Sequence, residues 1–442
     1  MGSVLVACRV ASAQEQRAPG PPPASPSESL SNATTESTFP TTANPPSAAG
    51  RQPSDTFTVE PYGIINLNAT YLIGNSSNNP DIPLWAIEGA SAFYFTARQT
   101  RFGLHASWLT PPSRLHVKRV TGIIEGDFNG AFLGQGTGYV FPIPRLRLAT
   151  ATVEWRSVRF SMGQDWSVLA PLNPDTALHR GVPGFTTSGN LWARIPQLRV
   201  DGVVGFGGPR TEHTWRFIWE AAFVMSVQAD AIPAAQGVLT TVRIPQGGES
   251  SLAPAGEARV AFGRDLFGKS LELGVSGHLG NRDITFVGGR TSRLNGAVAL
   301  DVTLPLPWRL SLKGEAYWGD GLDAFFGGIS QGIAFTNNAT GGIAFVGNGI
   351  ADGGGWAQLS WAALKWLTLY ASGGADKPKT DDLLLVNAGT NRTLNAAFYG
   401  IVSVEFAYGF VLWLEYDFMH TEFEAIPVQR THVLSLSGEL TF

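Results

Sequence analysis

Hydrophobic and polar residues alternate along the last stretch of the chain, from His432 to Phe442. Leu434, Leu436, Leu440 and Phe442 fall on one face of an extended chain, whereas the opposite face is mostly polar. Because successive side chains of a β-strand point to opposite faces, this period of two predicts an amphipathic strand. Such a strand could belong to a soluble sheet or could close a membrane barrel.

Similar alternation predicts strands along the whole chain from residue 56 onward, and the connections between them differ in length. Sixteen strands are predicted, at 58–72, 95–109, 116–129, 145–156, 158–166, 191–204, 212–228, 256–264, 269–280, 291–304, 308–319, 355–363, 366–373, 392–406, 409–421 and 429–442. Long connections lie near 73–94, 130–144, 167–190, 229–255, 281–290, 320–354, 374–391 and 422–428, and short turns alternate with them. Bacterial outer-membrane barrels have short periplasmic turns and long outer loops. The sequence therefore predicts an all-β protein, a transmembrane antiparallel β-barrel of sixteen strands.

The composition agrees with a barrel and excludes several other classes of protein. Charged residues make up 15% of the chain, against about 25% in soluble domains. The chain has 52 glycines, 26 phenylalanines and 13 tryptophans, and it contains no apolar run of about 18 residues such as a spanning helix needs. The net charge of -4 indicates no nucleic-acid partner.

The first part of the chain predicts two segments that do not belong to the barrel. An apolar run before Ala13 and the small residues Ala-Ser-Ala favour a truncated signal peptide over 1–13. Lipidation of Cys8, the single cysteine, is the alternative. Residues 14–55 are rich in Pro, Ser and Thr and predict a disordered periplasmic tether. The barrel domain is then 56–442.

The third long connection, Ser167–Gly189, is the candidate for narrowing the lumen. It contains three prolines and both signs of charge. A barrel of sixteen strands encloses a water-filled lumen unless a loop folds into it. The composition suits an inward-folded constriction and an ordinary surface loop equally.

Five short segments resemble the DcaP-like family of outer-membrane porins, most clearly over residues 58–205. They are TARQTRFG at 96–103, EGDF at 125–128, LRL at 146–148, SMGQDWS at 161–167 and RIPQLR at 194–199. The resemblance implies a trimeric porin of sixteen strands that passes small anionic solutes, such as dicarboxylates, by diffusion. It also implies that lumen arginines near the third loop attract anions. The matching positions are Arg101, Arg147 and Arg199, with neutral neighbours Gln99, Gln164 and Gln197.

Further charged residues in the same half of the chain are candidates for the pore lining. Arg119, Arg159 and Arg180 would add to the positive potential, and Glu125 and Asp127 would line the pore with negative charge. Opposed arginines and carboxylates would set up a field across the constriction. Alternatively, the charges pair with each other along the wall and make it rigid.

No enzyme motif is present, and neither a cofactor nor a metal is expected. Nucleophile-elbow, zinc-helix, phosphate-loop and calcium-loop patterns are all missing from the sequence. The terminal Phe442 resembles the signal that the barrel-assembly machinery reads. The expected partners are outer-membrane lipid and lipopolysaccharide, this machinery and small solutes. A non-conducting structural or adhesive barrel is the alternative function.

Overall fold

The structure of the chain is a computed structural model that describes most of the predicted barrel domain. The described residues are 57–76, 82–109, 115–130, 143–206, 215–226, 247–286, 289–337, 343–383, 390–407 and 409–442. The predicted signal peptide at 1–13 and the predicted tether at 14–55 lie outside the described residues. Among those described, no helix is long and apolar enough to span a membrane.

The described part of the chain is mostly β-structure, and its strands are numbered in chain order. The strands are β1 (Phe57–Ile73), β2 (Asn75–Ser76), β3 (Ala86–Ile87), β4 (Ala92–Thr96), β5 (Arg101–Leu109), β6 (Arg119–Asp127), β7 (Arg145–Glu154), β8 (Val158–Trp166), β9 (Arg194–Phe206), β10 (Trp215–Val224), β11 (Ala255–Leu266), β12 (Lys269–Phe286), β13 (Gly289–Pro305), β14 (Leu310–Asp320), β15 (Ile333–Asn337), β16 (Ile343–Gly349), β17 (Ala351–Leu364), β18 (Leu367–Pro378), β19 (Arg392–Ala407), β20 (Phe410–Phe423) and β21 (Gln429–Thr441). Short helical turns lie at Gly247–Ser250, Asp323–Phe325 and Thr380–Leu383.

Antiparallel pairing between consecutive strands continues around the sheet until it closes on itself. β21 pairs with β1 from Thr441 opposite Ile64 to His432 opposite Ile73. β4 and β5 both pair with β1 and form one interrupted strand, so the barrel has sixteen strands. The pairs β2–β3 and β15–β16 lie outside this sheet. The predicted sixteen-stranded antiparallel barrel is therefore confirmed, as is the pairing of its last strand with its first.

The barrel is polar inside and apolar outside, the reverse of a soluble protein. In β20, Glu415 and Asp417 are each 1% exposed, whereas Leu414 is 48% exposed. In β21, Ser437 is buried and Leu436 is exposed. The strand alternation could not say which face is inside, and the closed sheet decides it. An apolar outer surface of this kind suits contact with lipid.

The predicted loop at 281–290 is wrong, because both flanking strands continue through it. The ladder between β12 and β13 extends to Phe286 opposite Gly289. Asn281, Arg282 and Asp283 are polar and fall in the predicted connection, but Arg282 is buried and pairs with Asp323. Polar side chains inside a barrel can therefore be mistaken for a loop. Smaller errors of the same kind shortened β17 and β18 at this end of the barrel.

An arginine in the middle of the outer face should be costly if this face contacts lipid. Leu300 on β13 is 55% exposed, and Leu304 lies on the same face four residues nearer the short turn. We expect Leu300→Arg to lower the free energy of unfolding by about 2–4 kcal/mol in lipid vesicles, and Leu304→Arg by about 0–1 kcal/mol. Urea titrations of the protein in vesicles would measure both values. Equal costs would argue against a lipid-facing band centred on Leu300.

Candidate functional site inside the barrel

The segment between β8 and β9, residues 167–193, contacts the inward-facing side chains of the barrel wall. We call it the third loop. Val168, Leu169 and Phe185 are fully buried, although they belong to a connection between strands. The predicted sixth strand began at residue 191, but Leu191, Trp192 and Ala193 belong to this loop.

Inward-facing carboxylates hold the first half of the third loop through its backbone. On β11, Glu257 accepts hydrogen bonds from the Ser167 hydroxyl and from the Val168 N–H, the latter at 2.7 Å. On β14, Glu315 accepts from the Leu172 N–H at 2.6 Å. Hydrogen bonds to a charged acceptor stabilise a fold by about 1.5–3 kcal/mol each.

The same arrangement continues on β20 and β21. Glu415 accepts from the N–H groups of Ala177 and Leu178, both at 3.1 Å. Glu439 on β21 makes two hydrogen bonds of 2.7 Å with the Arg180 guanidinium. We call Glu257, Glu315, Glu415 and Glu439 the carboxylate row. The row lies on β11, β14, β20 and β21, which come in this order around the barrel, with other strands between the first three. The third loop therefore follows the inner circumference of the wall.

The loop reaches the N-terminal strands next, where the break between β4 and β5 receives it. Gln99 lies in that break, and its side-chain amide donates to the Leu178 carbonyl at 2.6 Å and accepts from the Gly181 N–H at 2.8 Å. Arg101 donates to the Arg180 carbonyl at 2.9 Å, and Arg145 on β7 donates to the Gly181 carbonyl at 2.6 Å. The break between β4 and β5 therefore contains the residue, Gln99, that binds the third loop through two hydrogen bonds.

The second half of the third loop packs on β19 and on the sixth loop, whose described residues are 321–337 and 343–350. The Phe185 ring stacks on Tyr399 with centroids 4.1 Å apart, and its N–H donates to the Tyr399 hydroxyl at 3.0 Å. Trp192 stacks on Phe326 of the sixth loop at 4.8 Å. The two loops therefore hold each other inside the barrel.

The sixth loop is fastened by inward-facing aspartates in the same manner as the third. Asp352 on β17 accepts from the Gly328 N–H at 2.7 Å, and Asp376 on β18 accepts from the Ile329 N–H at 3.1 Å. Arg282 forms an ion pair with Asp323 of the loop. Burial raises the pKa of the Asp323 carboxyl, and the nearby Arg282 guanidinium opposes that rise.

All six arginines singled out in the sequence lie in ion pairs. Arg147, only 1% exposed, bonds Glu125 at 2.7 Å and Asp127 at 2.9 Å. Arg101 lies 3.7 Å from Glu125. The predicted acidic residues Glu125 and Asp127 therefore each lie between arginines. This arrangement corresponds to the alternative in which the charges pair with each other along the wall.

The other predicted arginines extend this pairing from β6 to β10 and, through Arg180 of the third loop, to β21. The pairs are Arg119 with Glu154, Arg159 with Asp201, Arg199 with Asp201 and Glu220, and Arg180 with Glu439. Arg259, which the sequence reasoning missed, continues the series from Glu220 to Asp301. Each buried ion of this series meets partners of opposite sign, and removing one partner would leave an uncompensated buried charge at a cost of about 3–5 kcal/mol.

The arginines differ in how far they are exposed. Arg101, Arg147 and Arg199 are nearly buried, whereas the side chain of Arg159 is 27% exposed and that of Arg119 is 32% exposed. Arg145 is also 27% exposed at its side chain and was missed in the sequence. Its position at the start of β7, two residues before Arg147 in the inward-facing set, could have revealed it.

The neutral candidates and the terminal residue have different surroundings. Gln197 donates to the Trp166 carbonyl at 2.7 Å, and Gln164 donates to the Arg147 carbonyl at 3.0 Å, so both brace the ends of neighbouring strands. Phe442 exchanges two backbone hydrogen bonds with Gly63, at 3.0 and 3.1 Å, and its side chain is exposed on the outer face. The last residue therefore extends the seam that closes the barrel.

Comparison with known proteins places the fold among outer-membrane channels. No protein-family model matches the chain, and no curated protein matches it. The solved structure of the outer membrane channel DcaP of Acinetobacter baumannii is similar, with a TM-score of 0.64 and 15% identity over 87% of this chain and 97% of that one. The anion-selective porin from Comamonas acidovorans gives a TM-score of 0.50 and 13% identity, over 88% of this chain and 100% of that one. The high-pH structure of Pseudomonas putida OprB gives a TM-score of 0.51 and 8% identity, over 87% of this chain and 94% of that one.

The fold is therefore that of outer-membrane porins, and the resemblance drawn from the five short segments is confirmed for the fold. At these identities the likeness concerns architecture and not the residues of the pore.

Neutralising one member of the carboxylate row should loosen the start of the third loop. Glu257→Gln keeps the size of the side chain. It replaces a carboxylate, one oxygen of which accepts from the Ser167 hydroxyl and the N–H groups of Val168 and Leu169, with an amide that carries donors. We expect amide exchange at residues 168 and 169 to become about tenfold to a hundredfold faster, since each bond to a charged group contributes about 1.5–3 kcal/mol. Hydrogen exchange with mass spectrometry would measure this.

Glu60→Gln is the matched control, because the Glu60 side chain is largely exposed on β1. Unchanged exchange in Glu257→Gln would show that packing alone holds the loop.

Proposed function

We propose that the chain is an outer-membrane porin of a Gram-negative-type bacterium. It passes small hydrophilic solutes, of anionic and dicarboxylate-like character, by passive diffusion. In this proposal a signal peptide at 1–13 and a tether at 14–55 precede the barrel domain at 56–442. The barrel acts as a homotrimer in contact with lipid and lipopolysaccharide.

One observation carries the proposal: the third loop lies inside the closed barrel and follows its inner wall. The loop contacts wall residues from β11 around to β7. In this proposal the path for solutes runs past the partly exposed side chains of Arg119, Arg145 and Arg159 on β6, β7 and β8. A loop in this place narrows the wide lumen of a sixteen-stranded barrel.

The anionic preference rests on how charges are divided around the wall. From β4 to β9 the inner wall carries more arginines than carboxylates, namely arginines 98, 101, 119, 145, 147, 159, 194 and 199 against carboxylates 125, 127, 154, 165 and 201. Buried carboxylates dominate from β14 to β20, namely 315, 352, 376, 415 and 417. Unequal charge on opposite walls produces a field across the lumen and raises anion occupancy near the arginines.

Within the arginine-rich side, exposure separates two roles. Arg101, Arg147, Arg180 and Arg199 are nearly buried and hold the wall and the third loop together. Arg119, Arg145 and Arg159 keep about a third of their side chains in contact with solvent. We assign the attraction of anions to these three, with the buried arginines contributing through their charge.

A non-conducting structural barrel is the second candidate, and the packing of two loops inside the lumen favours it. The third and sixth loops stack on each other through Trp192 and Phe326. If they filled the lumen, the barrel would carry no current.

Neutralising two solvent-exposed arginines should reduce anion selectivity. We expect single-channel steps from the wild type in planar bilayers, with a reversal potential that favours chloride. In Arg145→Gln/Arg159→Gln the permeability ratio of chloride to potassium should fall by at least about twofold, because the local positive potential drops. Reversal potentials in a salt gradient would measure this.

Lys118→Gln, an exposed cation near the short turn, is the control and should leave the ratio unchanged. Arg145→Lys/Arg159→Lys keeps the charge and should restore selectivity even if the ion pairs weaken. Absence of steps in the wild type would support the non-conducting barrel. Steps with unaltered selectivity in the double glutamine variant would refute the role of the arginines but not the porin.

The Phe442 side chain should matter for assembly in cells more than for the folded barrel. Phe442→Ala keeps both backbone bonds to Gly63 and removes only an exposed ring. We expect it to refold normally in detergent but to accumulate at a lower level in the outer membrane, while Phe442→Tyr behaves as wild type. Heat-modifiable mobility on gels would measure the folded fraction. Equal membrane levels of Phe442→Ala and wild type would exclude an assembly signal in this ring.

A further inference from the structure

Three ionisable side chains meet where the third loop crosses β20. His179 of the loop and Glu415 and Asp417 of the wall are 5%, 1% and 1% exposed. One imidazole nitrogen and one oxygen of each carboxylate all lie within 4.8 Å of one another. We propose that these residues form a binding site for a divalent transition metal of the zinc class, which fastens the third loop to the wall. This site does not depend on the proposed transport function.

The charge of the cluster calls for a cation. With both carboxylates ionised and the imidazole neutral, the cluster would carry two negative charges in a position that excludes bulk water, where an uncompensated charge is costly. The adjacent Arg180 makes its ion pair with Glu439. A divalent metal would bring the net charge of the cluster to zero.

The ligand types and their geometry also suit such a metal. Zinc and its neighbours bind imidazole nitrogen together with carboxylate oxygen, commonly with three protein ligands and one further position. The nearest His179 ring nitrogen lies 3.0 Å from one Asp417 oxygen. The other Asp417 oxygen, Oδ1, is buried without a hydrogen-bond partner in the described part of the chain, and a metal would satisfy it.

The surroundings hold the three ligands in place. The Thr176 hydroxyl and the N–H groups of Ala177 and Leu178 orient the Glu415 carboxylate. The His179 ring stacks on Tyr399 with centroids 5.1 Å apart. Groups that orient ligands in this way typically change metal affinity by about tenfold to a hundredfold. Glu415 keeps lone pairs for a metal, because a carboxylate can accept about four bonds.

A second buried histidine provides an internal comparison. His278 bonds Glu257 at 3.0 Å, and Glu257 also holds the third loop. The two pairs therefore share chemistry, burial and contact with the loop. The His278 pair lacks a second carboxylate. Among the described residues, only the His179 cluster brings three such side chains within 4.8 Å of one another.

Cobalt is the probe that tests the site, because its visible absorption reports coordination by nitrogen and oxygen. The full chain, without a histidine tag, is refolded in detergent with Co²⁺, since the buried ligands would take up the metal as the loop is seated. We expect about one tightly bound Co²⁺ per chain, displaced by Zn²⁺. His179→Gln and Asp417→Asn should each weaken binding at least about tenfold. His278→Gln should bind as wild type.

The folded fraction of each variant is checked by heat-modifiable mobility, so that loss of fold is not read as loss of metal. Absence of tight Co²⁺ and Zn²⁺ binding in the folded wild type would overturn the proposal and leave His179 and Asp417 as a proton-bearing ion pair. Binding that survives both His179→Gln and Asp417→Asn, or that is lost equally in His278→Gln, would also overturn it.

Discussion

The closure of the sheet between β1 and β21 is the constraint on which the rest of the structure depends. An unpaired strand edge cannot be solvated in hydrocarbon, so every backbone group of a spanning sheet needs a partner. The ladder from Ile64 to Ile73 supplies those partners for the first and last strands. Once the sheet is closed, each residue faces either lipid or the lumen, and the alternation of the sequence becomes a division between two environments.

That division explains how a loop can be held inside the barrel. The inward face carries the polar side chains, so a connection that enters the lumen finds hydrogen-bond acceptors on many strands. Glu257, Glu315 and Glu415 each accept from backbone N–H groups that no strand satisfies. A soluble barrel, with an apolar interior, would leave those groups unpaired at a cost of about 1–3 kcal/mol each. The polar interior therefore anchors the loop.

The strands could be predicted from the sequence because alternation is a local pattern. Errors arose where a polar residue could belong either to a loop or to the inward face of a strand. Arg282 and Asp283 fall in a predicted long connection, although inward-facing residues of a long hairpin are equally polar. The ion pairs could not be read, because their partners lie far apart in the chain. Arg180 and Glu439 are separated by 259 positions, and His179 and Asp417 by 238. Only the closed barrel brings them together, so the sequence left open whether the arginines face solvent or are paired.

The order in which the chain is made has a consequence for the third loop. The loop precedes the whole carboxylate row, from Glu257 to Glu439, although its partners Gln99, Arg101 and Arg145 come before it. The N–H groups of Val168, Leu172 and Ala177 meet their acceptors only when β11, β14 and β20 have joined the sheet. The third loop can therefore complete its hydrogen bonds only after that part of the wall has formed.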